Sequence, residues 1–377
     1  MSVLIERLKN NIKSIPGWST RRHIVVIESD DWGSIRMPSK ETFAHCLRHG
    51  YRVDQNVFTR FDSLASEDDL ENLFELLISF KDGMGNHPVI SANCLVANPD
   101  FDKIRNCGFK EYHYELISDT FSKYPNHGNN LALWKEGMEK NIFRLQSHGR
   151  EHLNVSRFLK DLRQNNPDAI FAFENRMPGI FRKQDVETGN DYVVSLEHLD
   201  DADKESKSSI ITESLQIFRQ IFGYTPICFT PANNVWHKDY EKDMYESGIR
   251  FIMGSRIQLS PKGGYRGFKS ISHSTGQRNK FGQIYFVRNA HFEPSFNFNK
   301  DAVSYCMREI STAFAWRKPV IITMHRINFV GYIDIRNRDN TLFQFRELLS
   351  KIIQQYPDVE FLSSDQLGST VLDAIEN

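Results

Sequence analysis

At 377 residues, with 40% hydrophobic and 25% charged side chains, the chain has the composition of a globular protein able to bury a sizeable core. A formal net charge of −1 gives no reason to expect nucleic acid as a partner. The length admits either two domains or one large α/β barrel.

The chain opens with MSVLIERLKNNIKSIPGW, where Leu4, Ile5, Leu8, Ile12 and Ile15 recur at helical spacing among Arg7, Lys9 and Lys13. The pattern predicts an amphipathic helix within residues 1–22. It packs on the body of the protein, or touches a membrane surface through residues 1–18. The N-terminus lacks a signal-peptide core and no apolar run reaches membrane-spanning length, so a cytoplasmic protein, at most peripheral to a membrane, is expected. Cys46, Cys94, Cys107, Cys228 and Cys306 are scattered and read as reduced thiols, mostly in the core.

The first predicted strand, 23–29, lies in HIVVIESDDWGSIR and delivers two adjacent carboxylates, Asp30 and Asp31. Such a pair is commonly a helix cap and a solvated turn. Here it follows a buried strand directly and precedes Trp32 and Gly33, read as a bulky wall of the site and a tight turn. A helix is expected over 66–82, where Ser66 caps an acidic first turn. The next strand is expected at 88–97.

The third strand, 142–147, leads into SHGREHLN. His148 and His152, four apart, face the same way if a helix or turn begins near Gly149, and that spacing suits two ligands of one metal. Two His and one carboxylate form a complete three-ligand catalytic set with a position left open for water. Ser147, Arg150 and Asn154 are candidates for supporting bonds to the imidazoles, and Glu151 is expected to point away into a structural pair. Residues 155–222 are polar and mainly helical, and read as an insertion on the barrel such as a lid, rather than an independent domain.

The fourth strand, 226–230, runs into FTPANNVW, a proline-braced loop ending in amides. A helix is expected at 237–248, stopping on Gly248, and a strand at 250–255. The strand at 284–289 delivers Arg288, with His291 and Glu293 close behind as candidate pocket residues. The strand at 320–324 ends on His325, a candidate acid. A helix over 341–357 and a strand at 359–364 close the chain. Eight short apolar strands alternating with helices predict a (β/α) barrel or a doubly wound sheet, and the lack of a dinucleotide fingerprint and of a phosphate loop counts against a nucleotide-binding sheet; residues 23–377 read as one domain with helical insertions. In that class the chemistry sits at the C-terminal ends of the strands.

In motif order these residues resemble the NodB-like polysaccharide deacetylases, carbohydrate esterase family four. Asp-Asp follows the first strand, H-x-x-x-H a later one, a proline loop lies in the middle and a late strand ends in His. The resemblance spans about residues 23–365. It implies a distorted (β/α)7–8 barrel that removes an acyl group from an amino sugar with a divalent metal, often zinc. It makes Asp30 the general base, Asp31, His148 and His152 the metal ligands and His325 the general acid. Pro231 matches the proline loop, and Asn233 falls where a backbone N–H helps hold an oxyanion; Trp32 and Arg288 are placed on the substrate side. Thr230 stands where the family has an arginine that orients the catalytic aspartate, and Arg288 is a substitute from another strand. Arg326 matches nothing in the pattern. An N-acetylated sugar in a polysaccharide or glycan precursor is the expected substrate.

Three other functions use the same residues. Two His and a carboxylate also describe a non-haem iron oxygenase, though on an antiparallel fold. Asp30 with Glu293 would suit a metal-free glycoside hydrolase. A catalytically silent, carbohydrate-binding barrel would keep the shell of the site without turnover.

Overall fold

The computed structural model describes residues 16–180, 192–298 and 300–376. Most of the expected N-terminal helix therefore lies outside the described residues, and 16–22 form no helix. Trp18 is tied down by a 2.7 Å hydrogen bond from its backbone N–H to the Thr275 carbonyl.

Nine parallel strands form the main sheet: β1 (Ile24–Trp32), β2 (Ile90–Cys94), β3 (Phe143–Ser147), β4 (Cys228–Phe229), β5 (Phe251–Gly254), β6 (Ile284–Val287), β7 (Ala290–His291), β8 (Val320–His325) and β9 (Glu360–Phe361). Their order is β6-β5-β4-β3-β2-β1-β8-β7, with β9 pairing the first residues of β1. In a flat sheet β6 would stand about 24 Å from β1, at about 4.8 Å per strand. Instead Arg288, the residue after β6, touches Asp30 of β1, so the sheet is curled.

One chain segment brings the two ends of the curl together. Residues 284–287 pair with β5, and Arg288 N–H still bonds the Gly254 carbonyl. From Asn289 onward the same segment pairs with β8. The partner switch at Arg288–Asn289 turns the open ladder into a seven-position ring, with β9 as an eighth short strand.

Strand parity sorts the side chains. Val25 and Ile27 face outward onto the helices Glu67–Ile78 and Ile335–Gln355, joining Leu73, Leu77, Leu348 and Ile352. Ile24 and Val26 face into the ring with Phe251, Met253, Phe286 and Ile321. Leu367 and Val371 of the last helix, Ser364–Glu376, plug this interior. That helix lies so close that a Cβ on Gly368 would come within 2.3 Å of the Phe251 ring. Burial on both faces explains why these strands read as continuous apolar runs.

Further along β1 and β8 the inward positions turn polar: Glu28, Asp30, Thr323 and His325, with Ser91 and Asn93 on β2. The apolar floor thus ends in a polar mouth at the C-terminal edge. All eight predicted strands are present, shorter than predicted except β1 and β8. The helix foreseen over 341–357 begins six residues earlier, at Ile335, because Asp334 caps it. Two antiparallel pairs, 97–99 with 114–116 and 257–261 with 268–272, lie off the main sheet and were not expected from the sequence. Within 155–222 the described residues form helices Val155–Arg163, Pro167–Glu174 and Asp201–Phe222.

Candidate active site

The strand ends surround a cleft of about 670 Å3 lined by Asp30, Asp31, His148, His152, Pro231, Asn233, Arg288, His291, Glu293 and His325, among others. Phe58 and Phe296 flank His325, with ring centroids 5.7 and 5.9 Å from its imidazole. Val193, from the region read as an insertion, reaches the cleft wall.

Asp30 and Asp31 part company through a β-bulge. Ser29 pairs with Ala92 and Trp32 with Cys94, so three residues of β1 span two of β2. Asp31 takes up the extra length with a φ of 72°, a left-handed conformation that aspartate tolerates better than most residues. Gly33 follows at φ 87°, where a Cβ would meet the Leu95 carbonyl oxygen at 2.7 Å.

The bulge also corrects the reading of Trp32. It is fully buried on the helix side, against Trp134, Phe143 and Phe329, and donates Nε1–H to Ser29 Oγ at 3.0 Å. It is not a wall of the cleft, because β1 runs on through the charged residues and carries Trp32 back into the core.

Asp31 Oδ1 lies 3.4 Å from His148 Nε2 and 3.4 Å from His152 Nε2. Those separations are long for hydrogen bonds. They match the edge of a tetrahedron with ligand bonds of about 2.1 Å. All three side chains are buried and their ligating atoms lie within 4.8 Å of one another. His148 donates Nδ1–H to the Thr230 carbonyl at 2.6 Å, which leaves the Nε2 lone pair facing Asp31. Burial pushes the His152 imidazole down to about 3, which keeps it a competent ligand. Burial alone would raise Asp31, yet its carboxyl is held well below the usual carboxylate range, with the Arg36 guanidinium the permanent charge beside it at 3.5 Å. Two imidazole nitrogens and one carboxylate oxygen around one point fit a divalent ion.

The imidazoles converge by a turn rather than a helix: Gly149 has φ 106° and the next helix begins only at Val155. The residues expected to support them do other work. Arg150 pairs with Glu151 and Glu213, and Asn154 caps the helix while donating to the Val194 and Glu197 carbonyls. Ser147 Oγ accepts from Gly149 N–H. His152 Nδ1 is buried without a partner.

On the other side of the cleft, Arg288 clamps Asp30 with two bonds, Nη1 to Oδ2 at 2.6 Å and Nη2 to Oδ1 at 2.7 Å. Asn93 adds a third donor, to Oδ1 at 2.8 Å. Burial alone would raise Asp30; the Arg288 charge and hydrogen bonds outweigh it and lower it far below the usual range. Arg288 also donates Nε–H to Glu28 and Nη1–H to Thr323. Its guanidinium is thus oriented by protein partners, while Arg288 lines the cleft. It occupies the aspartate-orienting position that Thr230 leaves open.

His325 donates Nδ1–H to Glu293 Oε1 at 2.6 Å, and Asn328 donates to Glu293 Oε2. Burial alone would lower His325, but Glu293, with Asp31 and Asp30 behind it, raises it to about 10. The imidazole is a cation at neutral pH, with Nε2–H unclaimed by Glu293. Pro231 is the N-cap of the 3-10 turn Ala232–Asn234, and Asn233 stands exposed in the cleft at φ 55°. Arg326 has a structural explanation: fully buried, it grips Asp62 and donates to the Ser34 carbonyl at 2.6 Å. The sequence reading missed Glu28 and Asn93. Their only signal was an even-numbered offset from Asp30 or a place on the next strand.

No family model and no curated protein sequence matches the chain. Among solved structures, it is similar to Puue allantoinase at 9% identity and a TM-score of 0.48, over 93% of this chain and 91% of that one. It is similar at 9% identity and a TM-score of 0.47 to a "probable polysaccharide deacetylase" from Pseudomonas aeruginosa PAO1, over 93% and 91%. The 4-alpha-glucanotransferase from Thermococcus litoralis aligns at 10% identity and a TM-score of 0.44, over 92% of this chain but only 40% of that chain. Among the described residues, no helix is long and apolar enough to cross a membrane.

Proposed function

We propose that this protein is a metal-dependent amide hydrolase that removes an acyl group from the nitrogen of an amino sugar. The observation that carries the reading is the division of the adjacent aspartates: Asp31 converges with His148 and His152, and Asp30 is held apart by Arg288. Asp31, His148 and His152 would hold a divalent ion, and zinc suits their nitrogen and oxygen donors. Such an ion supplies acidification of water and polarisation of a carbonyl.

The chain's own groups do the rest. Asp30 Oδ2 accepts one bond from Arg288 and keeps a lone pair free to take a proton from water; Oδ1 is filled by Asn93 and Arg288. An aspartate of such low basicity serves as base only toward water that is already acidified. His325, charged and oriented through Nδ1 by Glu293, hands a proton from Nε2 to the departing amine. The backbone near Asn233, at the cleft edge, is the candidate oxyanion donor. The sugar is taken from the motif resemblance.

A glycoside hydrolase using Asp30 and Glu293 fits less well. Asp30 is held ionised by Arg288, and Glu293 accepts bonds from His325 and Asn328, so neither is presented as a free acid. The test is acetate release from N-acetylated chito-oligosaccharides by zinc-loaded protein, before and after chelation. Release abolished by chelation and restored by zinc is expected. Release indifferent to chelation, or intact glycan bound by zinc-loaded protein without turnover, overturns the proposal.

A further inference from the structure

Glu28 lies two residues before Asp30 on the inward face of β1 and is completely buried. A carboxylate in that position is costly unless it is paired and hydrogen-bonded. Both of its oxygens are engaged. Oε2 accepts Arg288 Nε–H at 2.5 Å, and Oε1 accepts the Ser364 hydroxyl at 2.6 Å. Ser364 opens the last helix, and its backbone N–H is fixed to Ser91 Oγ at 2.8 Å.

Arg288 is therefore held on two edges. Its Nη edge meets Asp30 and Thr323, and its Nε edge meets Glu28. With only the first, the guanidinium could swing about its stem while keeping one bond to Asp30. With both, its plane is fixed, and the bidentate geometry on Asp30 follows.

We infer that Glu28 is a positioning residue for Asp30, acting through Arg288 and itself anchored by Ser364 of the C-terminal helix. The inference rests on the hydrolase reading for its kinetic consequence, but its structural consequence stands alone. Glu28 touches no substrate, so its loss changes kcat and leaves KM in place. A misaimed reacting group of this kind costs about 10–100-fold.

The experiment compares Glu28→Ala, Glu28→Gln and Ser364→Ala, each zinc-loaded, for kcat and KM on 4-nitrophenyl acetate, zinc content, and the crystallographic position of Arg288. In Glu28→Ala, kcat falls about 10–100-fold at unchanged KM and zinc content, with Arg288 rotated off Asp30. Glu28→Gln, which keeps an acceptor for Nε and a partner for Ser364, restores kcat to within about threefold. Ser364→Ala, the milder change, gives an intermediate loss and keeps the test open should Glu28→Ala not fold. Arg288 unmoved in Glu28→Ala or Ser364→Ala, or Glu28→Gln as damaged as Glu28→Ala, overturns the inference. If the wild-type protein binds zinc but hydrolyses nothing, the hydrolase reading fails, and the position of Arg288 alone decides this one.

Discussion

Asp30 and His325 are register partners at the ends of neighbouring strands β1 and β8. The ring places one anionic and one cationic side chain next to each other at the same height, each aimed by its own partner: Arg288 for Asp30, Glu293 for His325. The proposed base and acid roles can therefore be separated by variants on either side.

On the base side, Asp30→Asn keeps zinc but lowers turnover by about 10²–10⁴-fold, since the ligand set is intact and only the proton acceptor is lost. Acetate release and zinc content measured on the same sample check this. Full activity in Asp30→Asn sinks the role.

The ligand set behaves differently. His152→Ala loses zinc as well as turnover, because one of three protein ligands is gone and Asp31 is left buried beside His148 alone. Elemental analysis after gel filtration reads this directly. A variant that retains stoichiometric zinc removes His152 from the set.

On the acid side, His325→Ala loses amide hydrolysis but keeps most hydrolysis of 4-nitrophenyl acetate, whose leaving group departs without a proton. The pH dependence follows from the sign of the shift. His325 is active when protonated, and Glu293 raises its pKa, so activity is lost as pH rises through that value. Glu293→Gln removes the charge that raises it, and the alkaline limb of kcat moves to lower pH. A limb that stays in place, or moves up, contradicts the assignment.

Stability should hinge on Arg326 and Asp62, an ion pair with both side chains fully buried. Removing Arg326 leaves buried Asp62 with only the looser Arg36 contact at 3.7 Å, so Arg326→Ala costs about 3–5 kcal/mol in denaturant unfolding. Arg326→Met with Asp62→Leu recovers much of that loss. Arg326→Ala within about 1 kcal/mol of wild type would show that water reaches the pair.

Much of this was legible in the chain. Apolar runs marked all eight predicted strands, because strands buried on both faces leave that signature. The strand-end rule then picked Asp30, Asp31, His148, His152 and His325, which do meet in one cleft. What escaped was set by distance along the chain. Arg288 and Glu28 are 260 residues apart, and no local pattern announces their contact. Trp32 was misplaced for a different reason: an apolar run that ends at Ile27 hides a strand that continues through four polar residues and a bulge. The two antiparallel pairs are short and carry weak periodicity.

Arg288 sits where the ring is sewn shut, between the half of the segment that pairs with β5 and the half that pairs with β8. The seam and the clamp on Asp30 are the same residue. A chain whose ring has not closed lacks the Arg288 clamp and holds Asp30 by Asn93 alone, so under the proposed function full hydrolytic competence requires the closed ring. Under that function turnover reports on closure of the ring, and a variant that loosens the seam loses activity before it loses its helices.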